Sequence, residues 1–82
     1  MSRPHRSIPK GFVKWPEDNG LGYSFNINGR RGEMFPERDE GHGLIGWTGY
    51  FIASDGKKTT TGIWCDNHWD CADEINLMAG GV

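Results

Sequence analysis

Two cysteines and a histidine near the carboxyl end of the sequence are the groups best suited to chemistry. Cys65, His68 and Cys71 follow one another at intervals of three residues, which can aim the last two in one direction on a helix. Thiolates and an imidazole bind zinc, but a structural site needs a fourth ligand, and neither His5 nor His42 belongs to a second paired spacing. A small zinc-binding domain is therefore one alternative. The interpretation we favour has no metal and places these side chains between a helix and a sheet, as small and moderately polar core groups.

The same thiols are poor candidates for catalysis. A nucleophilic cysteine needs a lowered pKa or a neighbouring base, and His68 is the nearest base in the sequence. Carboxylates surround the thiols, and negative charge raises the pKa of a thiol. Adjacent acids such as Asp73 and Glu74 point about 100° apart on a helix, whereas hydrolases usually take their paired carboxylates from distant segments. We predict that the protein is not an enzyme and has no cofactor.

An amphipathic helix is predicted over residues 65–80. Asp66 or Asn67 can cap its first turn, and Gly80 can end it in the left-handed conformation. Taking about 100° per residue, the apolar and polar side chains separate onto two faces. The predicted buried face holds His68, Cys71, Ala72, Ile75, Met78 and Ala79. The predicted exposed face holds Asp66, Asp70, Asp73 and Glu74.

Alternation with a period of two predicts the first clear strand. Large apolar side chains occupy every second position over residues 21–27, the pattern of a strand with one buried face. Asn28 and Gly29 accept the positive φ of a tight hairpin turn, so residues 32–35 should return antiparallel. Residues 36–43 are charged and rich in turn formers, which predicts a surface loop.

A second hairpin is predicted after this loop. Residues 44–54 carry large groups on both faces, as a central strand does, and residues 58–64 are rich in β-branched residues. Asp55-Gly56 supplies the turn between them. A shorter strand is predicted within residues 11–15. The expected fold class is α+β, with two antiparallel β-hairpins of about four strands in total and one C-terminal α-helix packed on one face of the sheet.

Length and composition are typical of one small domain. A chain of 82 residues buries only about 60–65% of its surface, and the four Trp, four Phe and two Tyr can fill a compact core. Residues 1–10 are predicted to form a flexible basic arm and residues 11–82 a single domain. No apolar stretch approaches the ~18–20 residues that cross a bilayer. Two cysteines do not make the disulfide framework of a secreted domain, so we expect a reducing, intracellular compartment.

A nucleic-acid interface is a further alternative. Aromatic side chains of the second hairpin, Trp47 among them with Tyr50 and Trp64, can stack on bases beside a basic rim at the two hairpin turns. The basic residues are Arg30, Arg31, Lys57 and Lys58. The chain carries a formal net charge of −2, however, whereas nucleic-acid-binding domains usually have an overall basic excess. We do not favour this alternative.

The acidic helix suggests recognition of a basic protein surface. Its carboxylates recur at helical spacing, in steps of roughly 5–6 Å, which is close to the scale on which phosphates follow one another along a nucleic-acid strand. Such a ridge can occupy a basic groove that otherwise holds nucleic acid. The alternative is a helix that carboxylates merely keep in solution, its early acids being favoured by the helix dipole.

In its general architecture the chain resembles the small phage-encoded inhibitors of bacterial defence, in particular anti-CRISPR proteins. The resemblance covers residues 11–80 and consists of antiparallel hairpins with one helix, an acidic surface, high aromatic content and no catalytic motif. It includes no sequence signature, so it assigns no role to any residue. It implies stoichiometric binding to a defence complex, such as a type I CRISPR surveillance complex, in the cytoplasm of the bacterial host. We expect a monomer or a weak homodimer that blocks the access of such a complex to DNA.

Overall fold

A computed structural model describes residues 7–41 and 43–81 of the chain. Within these residues, five antiparallel strands form one sheet in the order β1-β2-β3-β4-β5, and a single α-helix packs on one of its faces. The elements are β1 (Phe12–Lys14), a 3-10 turn (Glu17–Asn19), β2 (Tyr23–Ile27), β3 (Arg30–Asp39), β4 (Leu44–Ile52), β5 (Lys58–Thr60) and α1 (His68–Met78). The predicted α+β class is confirmed, with one strand more than expected.

Both predicted hairpin turns form. Asn28 and Gly29 adopt φ values of 52° and 84°, the left-handed pair that a two-residue hairpin turn requires. Gly56 has φ 87° in the turn between β4 and β5. The short strand expected within residues 11–15 is β1, which pairs with β2.

The loop predicted over residues 36–43 is wrong in its first half, because β3 continues to Asp39 and pairs with β4 as far as Leu44. Glu40, Gly41 and Gly43 lie in a turn, as predicted. Pro36 lies within this ladder, opposite Trp47. The backbone N–H and C=O of Trp47 both bond to Cys65, at 2.7 and 2.9 Å, on the other side of β4. Pro36 and Trp47 are therefore a non-hydrogen-bonded pair of the antiparallel ladder. Trp47 requires no backbone N–H from residue 36, so a proline is tolerated there.

The core lies between the sheet and α1. Its sheet side is aromatic, with Phe25 and Phe51 meeting edge to face at 5.6 Å between ring centroids. Met34 and Ile75 are fully buried. Gly49 lets α1 approach, since a Cβ there would lie 3.1 Å from Cδ1 of Ile75 and 2.7 Å from a backbone oxygen of β3. The buried core residues are Phe25, Ile27, Met34, Phe51, Ile63, Cys71, Ala72, Ile75 and Ala79.

Residues 1–6, 42 and 82 lie outside the described residues. The basic arm predicted over residues 1–10 therefore falls partly outside them. Within its described part, Ile8 is partly buried and packs against the core. Among the described residues, no helix combines the length and the apolar character that crossing a bilayer requires.

The helix is shorter than predicted and begins at His68. Cys65 is instead part of the sheet through its bridge with Trp47. The predicted caps are confirmed: Oδ1 of Asn67 accepts a hydrogen bond from the backbone N–H of Asp70 at 2.9 Å, and Gly80 has φ 80°. The closing bonds, from N–H of Gly80 to O of Leu77 and from N–H of Gly81 to O of Asn76, form a Schellman motif.

One assignment on the helix is wrong. Met78 was expected in the buried face and is 48% exposed, whereas Asn76 is buried. The burial of Asn76 has its cause beyond the helix, where the chain folds back so that a Cβ on Gly81 would overlap the Asn76 side chain. Gly81 thereby covers Asn76, which a rotation of about 100° per residue places at the boundary of the apolar face.

The turn between β2 and β3 also caps the end of α1. Nδ2 of Asn28 donates to O of Gly80 at 2.8 Å and to O of Ala79 at 3.2 Å. Nη1 of Arg30 lies 3.4 Å from O of Met78. These donors meet carbonyls that have no partner within the helix, and the cation complements the negative end of the helix dipole.

Replacing Asn28 should separate its role in the turn from its role in the cap. Asn28→Gly keeps the left-handed turn but removes the donor, and we expect it to lower the free energy of unfolding by about 1–2 kcal/mol. Asn28→Asp should lower the free energy of unfolding further, because it brings a carboxylate to the carbonyls at the negative end of the helix dipole. Urea unfolding measures both.

Asn26→Asp is the matched control, since it makes the same chemical change at an exposed position of β2. Equal stability of Asn28→Asp and Asn26→Asp would mean that the side chain of Asn28 does not stabilise the helix end.

Candidate functional site

The four predicted partner-binding carboxylates are all exposed, and the three that belong to α1 share one side of the helix by their spacing. We call them the acidic face: Asp66, Asp70, Asp73 and Glu74. The last three belong to α1, whereas Asp66 lies in the bend before the helix, so the predicted helical ridge is shortened by one turn. Negative charge from Glu74, Asp70 and Asp66 acts jointly on the thiol of Cys65, so these three carboxylates lie in the same neighbourhood.

Asp70 contributes to the start of the helix as well as to the acidic face. Its backbone N–H donates to Asn67, and Nδ2 of Asn67 donates back to Oδ2 of Asp70 at 3.0 Å. This reciprocal pair satisfies an amide of the first turn and holds an anion at the positive end of the helix dipole. Charge reversal at Asp70 would therefore perturb the helix as well as the surface.

Glu74 is coupled to the thiol of Cys65. Sγ of Cys65 donates to Oε2 of Glu74 at 3.4 Å. Burial is the first cause that raises the pKa of Cys65, and the bond and charge of Glu74 add to it, giving about 11. Burial also raises the pKa of Cys71, which lies in the core, to about 12. Both thiols are therefore protonated at neutral pH, the opposite of what a nucleophilic cysteine requires.

The imidazole of His68 lies in an aromatic cluster. It stacks on Tyr23 at 5.9 Å between ring centroids and lies 5.3 Å from Trp47 and 4.1 Å from Trp69. Within residues 7–41 and 43–81, no three potential metal ligands come together. His5 and His42, the two histidines considered as a fourth zinc ligand, lie outside those ranges.

Two apolar side chains extend the acidic face along the helix. Leu77 is 71% exposed, and it follows Asp70 and Asp73 on the same side of α1 at helical spacing. Met78 is exposed beside it. Sequence reasoning missed this apolar end, because Leu77 belonged to neither predicted face and Met78 was assigned to the core.

The predicted nucleic-acid interface is divided between the two faces of the sheet. Trp47 packs against the core on the face that α1 covers, so it is not available beside Tyr50. Alternation along β4 places Tyr50 on the opposite face. The four basic residues are all exposed where the two hairpin turns meet one end of the sheet: Arg30, Arg31, Lys57 and Lys58.

The chain matches no known protein family, no curated protein and no solved structure. The functional proposals below therefore depend on the surfaces of the protein itself. Two surfaces stand out, the acidic face of α1 and the sheet face that α1 leaves uncovered.

The coupling of Cys65 to Glu74 predicts how fast this cysteine is alkylated. Between pH 8 and 9.5, iodoacetamide should modify Cys65 more slowly in the folded protein than in urea, because only the thiolate reacts. Glu74→Gln removes a charge that raises the pKa of Cys65, so alkylation at pH 9 should become faster, by about threefold or more. Mass spectrometry resolves the two cysteines.

Glu17→Gln is the matched control, as it neutralises an exposed carboxylate in the 3-10 turn. Equal rates in Glu74→Gln and Glu17→Gln would contradict the assigned coupling.

Proposed function

We propose that the protein is a non-catalytic inhibitor that binds a bacterial nucleic-acid-handling defence complex through its acidic face. By occupying a basic groove it blocks the access of that complex to DNA, and a type I CRISPR surveillance complex is the example we propose. The observation that carries this proposal is the exposure of all four carboxylates in a segment, residues 65–82, that contains no Lys or Arg.

Dimensions of the helix support this proposal. The 11 residues of α1 extend over about 16 Å at 1.5 Å per residue. Side chains three and four positions apart on a helix lie roughly 5–6 Å from one another, so a basic groove that receives successive phosphates can receive these carboxylates. Complementary charge would speed the encounter and select the partner.

The apolar end of the helix favours binding over a purely solubilising role. Leu77 and Met78 present apolar surface beside the carboxylates. Charged groups contribute mainly to association rate and specificity, whereas desolvated apolar contacts contribute much of the affinity of an interface. A partner groove with basic walls and an apolar floor would match both parts of this surface.

The fold presents the helix as a fixed element. Asn67 holds its start, and Asn28 with the Schellman motif holds its end. A helix that is ordered before binding pays less conformational entropy when it binds. We propose that the protein acts as a monomer or weak homodimer in the cytoplasm of the bacterial host, without a cofactor.

Charge reversal at two positions tests the proposal. The variant is Asp66→Lys with Asp73→Lys, which reverses one carboxylate in the bend before α1 and one within the helix. The unaltered protein should abolish target-DNA binding by a purified type I surveillance complex at a stoichiometric ratio. The double variant should be weaker by about tenfold or more, because like charges would then face the groove. Electrophoretic mobility of labelled target DNA measures the effect.

Asp18→Lys with Glu37→Lys is the matched control, because it changes net charge equally at exposed positions elsewhere and should inhibit like the unaltered protein. Thermal unfolding of both double variants establishes that they are folded. Undiminished DNA binding in the presence of the unaltered protein would reject this partner. Equal inhibition by the two double variants would reject the acidic face as the contact.

A further inference from the structure

The sheet face opposite α1 is a second surface of distinct chemistry. The core residues Met34 and Phe51 point towards α1, so their neighbours along β3 and β4 point away from it. Register pairs these outward residues across the strands, Arg31 with Ile52 and Glu33 with Tyr50. We call this surface the outer face. Its central residues are Ser24, Arg31, Glu33, Phe35, Tyr50 and Ile52.

Aromatic rings are concentrated on the outer face. Phe35 and Tyr50 lie 5.7 Å apart between ring centroids, and both are half-exposed. Trp15 lies flat over Gly22, where a Cβ would overlap its ring, and its Nε1 donates to Oγ of Ser24 at 3.0 Å. Partly exposed rings held in fixed orientation on a sheet are the feature that stacks unpaired bases in sheet-based nucleic-acid binders.

A second indole is seated in the same way. The ring of Trp64 lies over Gly46, another outward position of β4, and is 44% exposed. Absent side chains at two glycines thus let two indoles lie against the strands. Trp47, which is predicted beside Tyr50, belongs to the other face, and Trp15 and Phe35 supply the aromatic rings of this surface instead.

Three neighbouring shallow hollows follow this face to the hairpin end of the sheet, and we call them together the groove. The first, of about 310 Å³, lies between Trp15, Ser24 and Glu33. The second, of about 280 Å³, shares Ser24 and Glu33 with the first and reaches Arg31 and Ile52. The third, of about 310 Å³, shares Arg31 and Ile52 with the second. It ends at the two hairpin turns, beside Arg30 and Ser54. The groove therefore runs from an indole to a basic end.

Charge is unevenly distributed along this groove. Its basic end holds Arg31 and Lys58, and Nζ of Lys58 lies over the Tyr50 ring, 4.8 Å from its centroid. The guanidinium of Arg30 lies instead over Phe51, on the side of the helix. Glu33 is the carboxylate within the groove and accepts a hydrogen bond from the hydroxyl of Tyr50. An anion would therefore be attracted to the end at Arg31 and Lys58 and repelled near Glu33.

We propose that the outer face binds single-stranded nucleic acid. Bases would stack on Trp15, Phe35 and Tyr50, and phosphates would pair with Arg31 and Lys58. A four-stranded sheet typically stacks two or three bases, which suits the extent of this groove. A duplex fits less well because its base faces are hidden. This inference concerns the face opposite the acidic helix and does not depend on the proposed inhibitor function.

Fluorescence anisotropy with a labelled 12-nucleotide oligothymidylate tests this inference at 20 and 200 mM NaCl. Binding should weaken steeply at the higher salt concentration, because phosphate contacts release counterions. Arg31→Gln should weaken binding at 20 mM by about threefold or more and flatten the salt dependence. Tyr50→Leu, which keeps apolar volume but removes the ring, should weaken it by about fivefold or more at both concentrations.

Glu33→Gln should change the affinity for the oligonucleotide in the opposite direction to Arg31→Gln and Tyr50→Leu. It keeps an acceptor for Tyr50 but removes the negative charge, so it should tighten binding by about twofold or more. A variant that merely damaged the fold would weaken binding. Arg38→Gln is the matched control, since it removes an exposed cation away from the groove and should behave like the unaltered protein.

Several outcomes would overturn the inference. The first is that the protein does not bind the oligonucleotide at 20 mM salt. The second is that Arg31→Gln and Arg38→Gln bind it equally well. The third is that a 12-base-pair duplex binds as tightly as the single strand. A dimer that sedimentation detects and Tyr50→Leu dissociates, without oligonucleotide binding, would assign the face to a second copy of the chain. The variant Asp66→Lys with Asp73→Lys should still bind the oligonucleotide, so failure of one proposal does not entail failure of the other.

Discussion

Burial of one side of α1 against one face of the sheet is the interaction on which the rest of the structure depends. A domain of this size buries a smaller fraction of its surface than larger ones, so few side chains can be spared from its core. Met34 and Ile75 are both fully buried between helix and sheet, and Gly49 leaves room for the Ile75 side chain. Among the described residues a single helix packs on one face, so the opposite face of the sheet carries no helix and the outward side of α1 stays exposed. The sheet face opposite α1 and the outward side of α1 are the two candidate surfaces.

The direction of the helix decides where charge lies. Its start is held by Asn67 and Asp70, an arrangement in which the anion meets the positive end of the helix dipole. Its end lies over the turn between β2 and β3, where Arg30 meets the last carbonyls. One orientation thus satisfies both ends of the helix. It also gathers carboxylates around the first turns and brings the helix end to the basic residues of the hairpin turns, so a chain of small net charge has two surfaces of opposite character.

Much of this fold could be predicted from local signals. Asn28-Gly29 and Asp55-Gly56 define their turns through the φ values that they tolerate, and Asn67 and Gly80 mark the helix ends through capping chemistry. What could not be predicted depends on distant partners. The extension of β3 through Pro36 requires that Trp47 bond to Cys65, and the burial of Asn76 requires that Gly81 fold back over it. For the candidate surfaces, alternation separates Trp47 from Tyr50, but it does not say which of the two faces the helix covers. No periodic pattern in the sequence indicates that the indoles of Trp15 and Trp64 lie over Gly22 and Gly46.

The two outermost strands have a consequence for how this protein meets other chains. In the order β1-β2-β3-β4-β5, the edges are strands of three residues each. Each carries a lysine, Lys14 on one and Lys58 on the other. Short borders with a positive charge discourage a foreign strand from extending the sheet by backbone pairing. A protein built mainly from β-structure is thereby protected from templating fibrils, and its associations are directed to side chains on its two broad sides.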